Sequence, residues 1–149
     1  RRDIMDIPGS GEVYHGGSFN SNVMSISAAY ATLNHLKSEG DAFYADLNRR
    51  GQRLIEGLRH VAMETETDIH IQGLGSVFGI SFNRSGDTIR NYRDHATKCD
   101  DARYIQFASE MMREGVRLSS NGRVHMSSAH TDEQVDQTIQ AAGQALSRI

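Results

Sequence analysis

The chain predicts an α/β fold of the α+β kind, a small and mostly antiparallel sheet covered on one face by helices. Three observations predict it. Periodicities run in the order two helices, two strands, helix, hairpin, helix. Residues 76–82, Ser-Val-Phe-Gly-Ile-Ser-Phe, carry strong β-branched and aromatic content. At 149 residues, 38% hydrophobic and 23% charged, the chain is long enough for one domain with a real core.

Each element has its own signal. Residues 1–20 lack a clear period and hold Pro8, Gly9, Gly11, Gly16 and Gly17, so they read as mostly loop. From 22 to 37, Val23, Ile26, Ala29, Tyr30, Leu33 and Leu36 recur at steps of three and four, an amphipathic helix ending near Gly40. Asp41 opens a longer helix through Tyr44, Leu47, Leu54, Leu58 and Val61 to about Glu66, with Gly51 and Gly57 as weak points inside it. Strands follow at 69–73 and 76–82, then a polar, loop-like stretch at 83–100. Residues 101–114 are helical, with Ile105, Ala108, Met111 and Met112 on one side. Short strands at 116–118 and 123–127 flank an Asn121-Gly122 hairpin turn. Thr131-Asp132-Glu133-Gln134 is close to a capping box and starts a last helix with Val135, Ile139, Ala142 and Leu146.

Composition narrows the function classes. The net charge is −3, and no basic cluster exists beyond Arg1-Arg2 and Asn48-Arg49-Arg50, which disfavours nucleic acid and anionic membrane as partners. A single cysteine, Cys99, permits no internal disulfide and no cysteine-based metal cage. Seven histidines without paired spacing give no metal site, and His125 and His130 read as structural. No apolar run reaches the length of a membrane span and no signal-peptide pattern opens the chain, so the location expected is cytoplasmic.

The segment richest in chemistry is Gly16-Gly17-Ser18-Phe19-Asn20-Ser21-Asn22, leading into a helix. Glycines let backbone approach a ligand, and a hydroxyl with free N–H groups ahead of a helix suits an anion such as phosphate. The same residues also read simply as a turn and N-cap.

That segment resembles the Gly-Gly-Thr-Phe-x-x-Asn-Pro of class III, glutamate-1-semialdehyde aminomutase-like, pyridoxal-phosphate enzymes. Further matches follow in order. Gly73-Leu74-Gly75-Ser76-Val77-Phe78 is similar to the family's Gly-x-Gly-Ser-Met-Phe, and Asn91-Tyr92-Arg93-Asp94 with Cys99-Asp100 to its Asn-Tyr-x-Asp…Ser-Asp. Met112-Arg113-Glu114-Gly115-Val116 is similar to Met-Leu-Glu-x-Gly-Val, and Ala129-His130-Thr131-Asp132-Glu133 to Ala-His-Thr-Glu-Glu. The resemblance covers nearly the whole chain. It implies an aspartate-aminotransferase-like fold (pyridoxal-phosphate fold type I) working as a homodimer on a small amino-acid or keto-acid substrate. Residues 1–40 would be the end of the large cofactor domain, a dimer-interface loop and helix. Residues 41–149 would be the C-terminal small domain.

The resemblance also assigns roles. Gly17, Ser18 and Phe19 fall where the family binds the phosphate of pyridoxal 5'-phosphate held by the neighbouring subunit, with Gly16 allowing close approach and Asn20 lining the same site. Ser18 stands for the family's Thr and keeps its donor, whereas Val23 replaces the usual Pro, a departure that fits amino-acid aminotransferases of the class. Arg123 falls where class III aminotransferases clamp the substrate carboxylate; an edge-strand arginine facing water is the plain alternative, and Arg117 is a weaker candidate. Transamination requires a lysine, and neither Lys37 nor Lys98 has the family's glycine-rich context. The family's lysine lies upstream of Gly16-Gly17, so no catalytic residue is assigned here and the chain alone is expected to be inactive. A dimerisation module and a free-standing small-ligand domain are the competing classes.

Overall fold

The computed structural model describes residues 1–83, 86 and 88–149. The chain divides into two compact units, Arg1–Gly40 and Asp41–Ile149.

In the first unit, α1 spans Arg2–Ser10 and stops at Gly11, whose φ of 81° is left-handed. Residues 1–20 were expected to be mostly loop, and α1 corrects that. It forms with Pro8 inside it, no side-chain N-cap and no buried residue, and only Asp3 in its first turn and Gly11 at its end signal it. After a turn at 17–22 comes α2, Val23–Glu64, which is interrupted at Gly40, where φ 63° and ψ −156° are not helical. No residue of 1–40 is buried. The apolar stripe of α2 is correspondingly open, with Ile26 60%, Tyr30 71% and Leu33 66% exposed.

The second unit holds the core. Beyond Gly40, α2 buries Leu54, Ile55, Leu58, Val61 and Ala62. β1 (Ile69–Leu74) and β2 (Val77–Phe82) pair antiparallel from Ile69↔Phe82 to Leu74↔Val77. Gly75 and Ser76 close that hairpin, with positive φ (44°) at Gly75 alone of the two, as two-residue turns with glycine first require. α3 (Tyr92–Lys98) and α4 (Asp101–Arg113) follow, then β3 (Arg123–His125) and α5 (Asp132–Leu146). The sheet is antiparallel in the order β1-β2-β3.

Alternation along β2 sets the layers. Phe78, Ile80 and Phe82 are buried in one cluster with Leu58, Phe107, Met111, Val135 and Leu146, while Val77, Gly79 and Ser81 take the opposite face. Phe82 and Phe107 meet edge-on at 5.7 Å between centroids. The helix-internal glycines have packing reasons. A Cβ on Gly51 would strike the backbone of Gly75 and come within 2.8 Å of Ser76 N, and one on Gly57 would meet Ile139.

Two further expectations are corrected. The stretch 83–100, called loop, contains α3, whose start is capped by Asn91 accepting from Asp94 N–H at 3.0 Å; Arg84, Ser85 and Asp87 of that stretch lie outside the described residues. Residues 116–118 form no strand, and the expected hairpin around Asn121-Gly122 is not made. Instead Val116 N–H closes the end of α4 on Met111 carbonyl at 2.8 Å, and Val116 and Leu118 pack on the core from outside the ladder. The capping box of α5 is formed as the sequence indicates: Gln134 N–H reaches Thr131 Oγ1 at 3.2 Å, and Thr131 N–H reaches Gln134 Oε1 at 3.0 Å.

Candidate functional site

Gly17, Ser18 and Phe19 lie together in one tight turn of the first unit. Asn20 N–H donates to Gly17 carbonyl at 3.0 Å and Asn22 N–H to Phe19 carbonyl at 3.2 Å. Asn22 starts the helix, its Oδ1 accepting from Ser25 N–H at 3.0 Å and its carbonyl from Ile26 N–H at 2.9 Å. The N-cap role is therefore taken by Asn22, which leaves the Ser18 hydroxyl without a hydrogen bond among the described residues. Ser18 is exposed, and Phe19 is 82% exposed. Only exposed side chains lie close to the two glycines: a Cβ on Gly16 would meet the Tyr14 ring, and one on Gly17 would come within 3.0 Å of Asn20 Oδ1, and both side chains are free to move aside.

Arg123 belongs to the second unit. It opens β3 and pairs with Gly79, on the face of the sheet away from Phe78 and Val124. Its guanidinium is exposed and forms no ion pair or hydrogen bond among the described residues. The neighbouring Gly79 offers no side chain, and a Cβ there would find only Gln72 carbonyl, at 3.8 Å. Arg117 is exposed, outside any strand.

The backbone of Arg123 is held more firmly than its side chain. Arg123 N–H donates to Asn121 Oδ1 at 3.2 Å, and Ser119 Oγ lies 2.6 Å from Arg123 carbonyl and 2.9 Å from Asn121 Oδ1. Tyr104, 5% exposed on α4, donates its hydroxyl to Ser119 carbonyl at 2.6 Å. Burial, the largest influence, pushes the Tyr104 hydroxyl above the ordinary tyrosine range, so it is a neutral donor. A cleft of about 290 Å³ opens beside this turn, lined by Tyr104, Asn121, His95 and Ser81 among others. Sequence reasoning passed over Tyr104 and Ser119; the available signal was the Ser119-Ser120-Asn121-Gly122 turn chemistry just ahead of Arg123.

The remaining candidates take structural places. His130 Nδ1 accepts from Ser127 N–H at 3.0 Å and closes the turn before α5. Lys37 is exposed, and Lys98 lies 3.8 Å from Asp94 within α3. Cys99 is a free, half-buried thiol. Among the described residues no cluster of three or more metal-ligating side chains occurs, and no helix is long and apolar enough to cross a membrane.

No family model matches the chain. It is 34% identical over 149 residues to a glutamate-1-semialdehyde 2,1-aminomutase of Desulforapulum autotrophicum, which covers 98% of this chain and 34% of that protein. A solved β-phenylalanine aminotransferase from Variovorax paradoxus superposes with a TM-score of 0.81 at 28% identity, over 97% of this chain and 33% of that one. A transaminase solved with pyridoxal phosphate bound shares the fold, with a TM-score of 0.75 at 20% identity over 92% of this chain and 30% of its own. The chain spans about a third of the length of these relatives. By sequence and fold together, it is a relative of the glutamate-1-semialdehyde 2,1-aminomutases and has the fold of the matching third of the transaminases.

Proposed function

We propose that the chain is the C-terminal part of a class III pyridoxal-phosphate aminotransferase or aminomutase acting on an amino-acid or keto-acid substrate as a homodimer in the cytoplasm. Residues 1–40 end the large domain and residues 41–149 form the small one. The observation that carries this reading is Arg123, an exposed guanidinium without an ion-pair partner among the described residues, beside a glycine on an open sheet face. That arrangement suits a planar, two-pronged grip on a carboxylate.

The residues present fit the phosphate end of pyridoxal 5'-phosphate. Ser18 offers a hydroxyl with no hydrogen bond among the described residues, and Gly16 and Gly17 keep the turn clear of Cβ atoms. The donors are neutral and exposed, so this turn would be one wall of a site completed by another chain. When bound, the cofactor supplies the electron sink for amino-group chemistry. Ser18 would donate to the phosphate, Phe19 would cover it, and Arg123 would orient the substrate by its carboxylate. The reactive lysine lies outside this chain in this reading, and Lys37 and Lys98 keep surface roles. The open stripe Ile26, Tyr30 and Leu33 supports an interface there, since an uncovered apolar face of this kind marks a packing surface.

The test uses the intact protein that carries this chain. Arg123→Ala is expected to raise KM for a carboxylate-bearing amino donor by roughly 10- to 100-fold, the worth of a hydrogen bond to a charged group. KM for benzylamine, which has no carboxylate, is expected to stay put. Equal effects on both donors, or none on either, would refute the assignment of Arg123, and an intact protein that turns over neither donor would favour a non-catalytic module.

A further inference from the structure

We propose that Tyr104 is a positioning residue for Arg123, acting through the turn residues Ser119 and Asn121; the inference rests on the assignment of Arg123 to the substrate carboxylate. Ile80 N–H donates to Gly122 carbonyl at 2.8 Å, and Met126 N–H donates to Ser76 carbonyl at 2.8 Å. Those bonds flank the registered pairs Gly79↔Arg123 and Val77↔His125. In an antiparallel ladder hydrogen-bonded and non-hydrogen-bonded pairs alternate, so Gly79↔Arg123 is a non-hydrogen-bonded pair. The N–H and carbonyl of Arg123 therefore face away from β2. β3 is the edge of the sheet, so no fourth strand receives them.

The turn supplies what that strand would have given. Asn121 Oδ1 accepts from Arg123 N–H, and the Ser119 hydroxyl, with one proton, is shared between Arg123 carbonyl and Asn121 Oδ1. Ser119 is in turn fixed by Tyr104, whose hydroxyl donates to its carbonyl at 2.6 Å. Gly122 N–H approaches that same carbonyl only at 3.5 Å, which makes Tyr104 the stronger tether. The ring of Tyr104 is itself held in the core, 6.5 Å from that of Phe107. A rigid helix residue thus sets the backbone of the edge position that carries the guanidinium.

Tyr104→Phe keeps the ring and removes the tether. In the intact protein, with whichever of alanine, glutamate and β-phenylalanine turns over fastest as donor, KM is expected to rise about threefold to tenfold while kcat changes less than twofold. KM for benzylamine is expected to be unaffected. Ser119→Ala provides a second variant and should shift KM the same way. The decisive readout is the double mutant: in an Arg123→Ala background Tyr104→Phe should leave KM unchanged. A KM rise that persists without Arg123, or wild-type KM in both Tyr104→Phe and Ser119→Ala, overturns the positioning role while leaving the carboxylate assignment standing. Wild-type KM in Arg123→Ala alone overturns the carboxylate assignment, and the positioning role with it.

Discussion

Gly51→Ala should destabilise the 149-residue chain even though alanine is the better helix former. Position 51 lies inside α2, where the substitution by itself would gain about 1 kcal/mol. The added methyl, however, would meet the backbone of the β1–β2 turn, striking Gly75 and lying 2.8 Å from Ser76 N where ordinary contact begins at 3.4 Å. Both sides of that contact are main chain, so no rotamer change relieves it. The helix and the hairpin must part by about 1 Å, at the cost of overpacking, typically 1–3 kcal/mol and sometimes more. Gly75 cannot easily yield, because its positive φ of 44° fixes the turn. The net expectation is a loss of about 2 kcal/mol, or roughly 4–8 °C in Tm for a chain of this length. Gly57→Ala is the comparison: its methyl would meet the side chain of Ile139 and no backbone, and a side chain can shift where two main chains cannot, so the loss should be the smaller of the two. Urea unfolding followed by circular dichroism measures both. A Gly51→Ala chain as stable as wild type, or a larger loss at Gly57, would refute the steric reasoning.

Thr131→Ala removes one half of the capping box of α5 and should cost about 1 kcal/mol in the same urea titration, with Thr131→Ser nearly restoring it. Alkaline pH should weaken the second unit through Tyr104. Its hydroxyl titrates higher in the folded state than in the unfolded chain, so that contribution is full below about pH 10 and is lost as pH rises toward the folded value. Tyr104→Phe should flatten the alkaline limb of a stability–pH curve, and an unchanged limb would contradict the burial argument.

The second unit was largely legible because its signals are local and agree with its burial. β1 and β2 carry the aromatic and β-branched alternation that packs Phe78, Ile80 and Phe82 inward, and α5 announces itself with Thr131 and Gln134. α3 was missed although Asn91 and Asp94 are an N-cap pair; the polar composition around it hid a helix that buries nothing. α1 was illegible for a stronger reason, since Pro8 and Gly9 argue against it and no burial rewards it. Residues 116–118 have strand-like composition, and tertiary context overrode it: Val116 N–H closes α4 on the Met111 carbonyl, and Val116 and Leu118 pack on the core without joining the ladder. For the site, Ser18 and Arg123 could be named from motif position, but what supports Arg123 could not. Tyr104 is fifteen residues from Ser119 in sequence, and their bond exists only in the fold.

On the proposed reading, Ser18 holds the phosphate of pyridoxal 5'-phosphate. Titrating the intact apo-protein with pyridoxal phosphate tests it most directly. Ser18→Ala is predicted to lose roughly tenfold or more in cofactor affinity, the worth of one hydrogen bond to a charged group, with Ser18→Thr close to wild type. Equal affinity in wild type and Ser18→Ala, with only the folded stability changed, would contradict it.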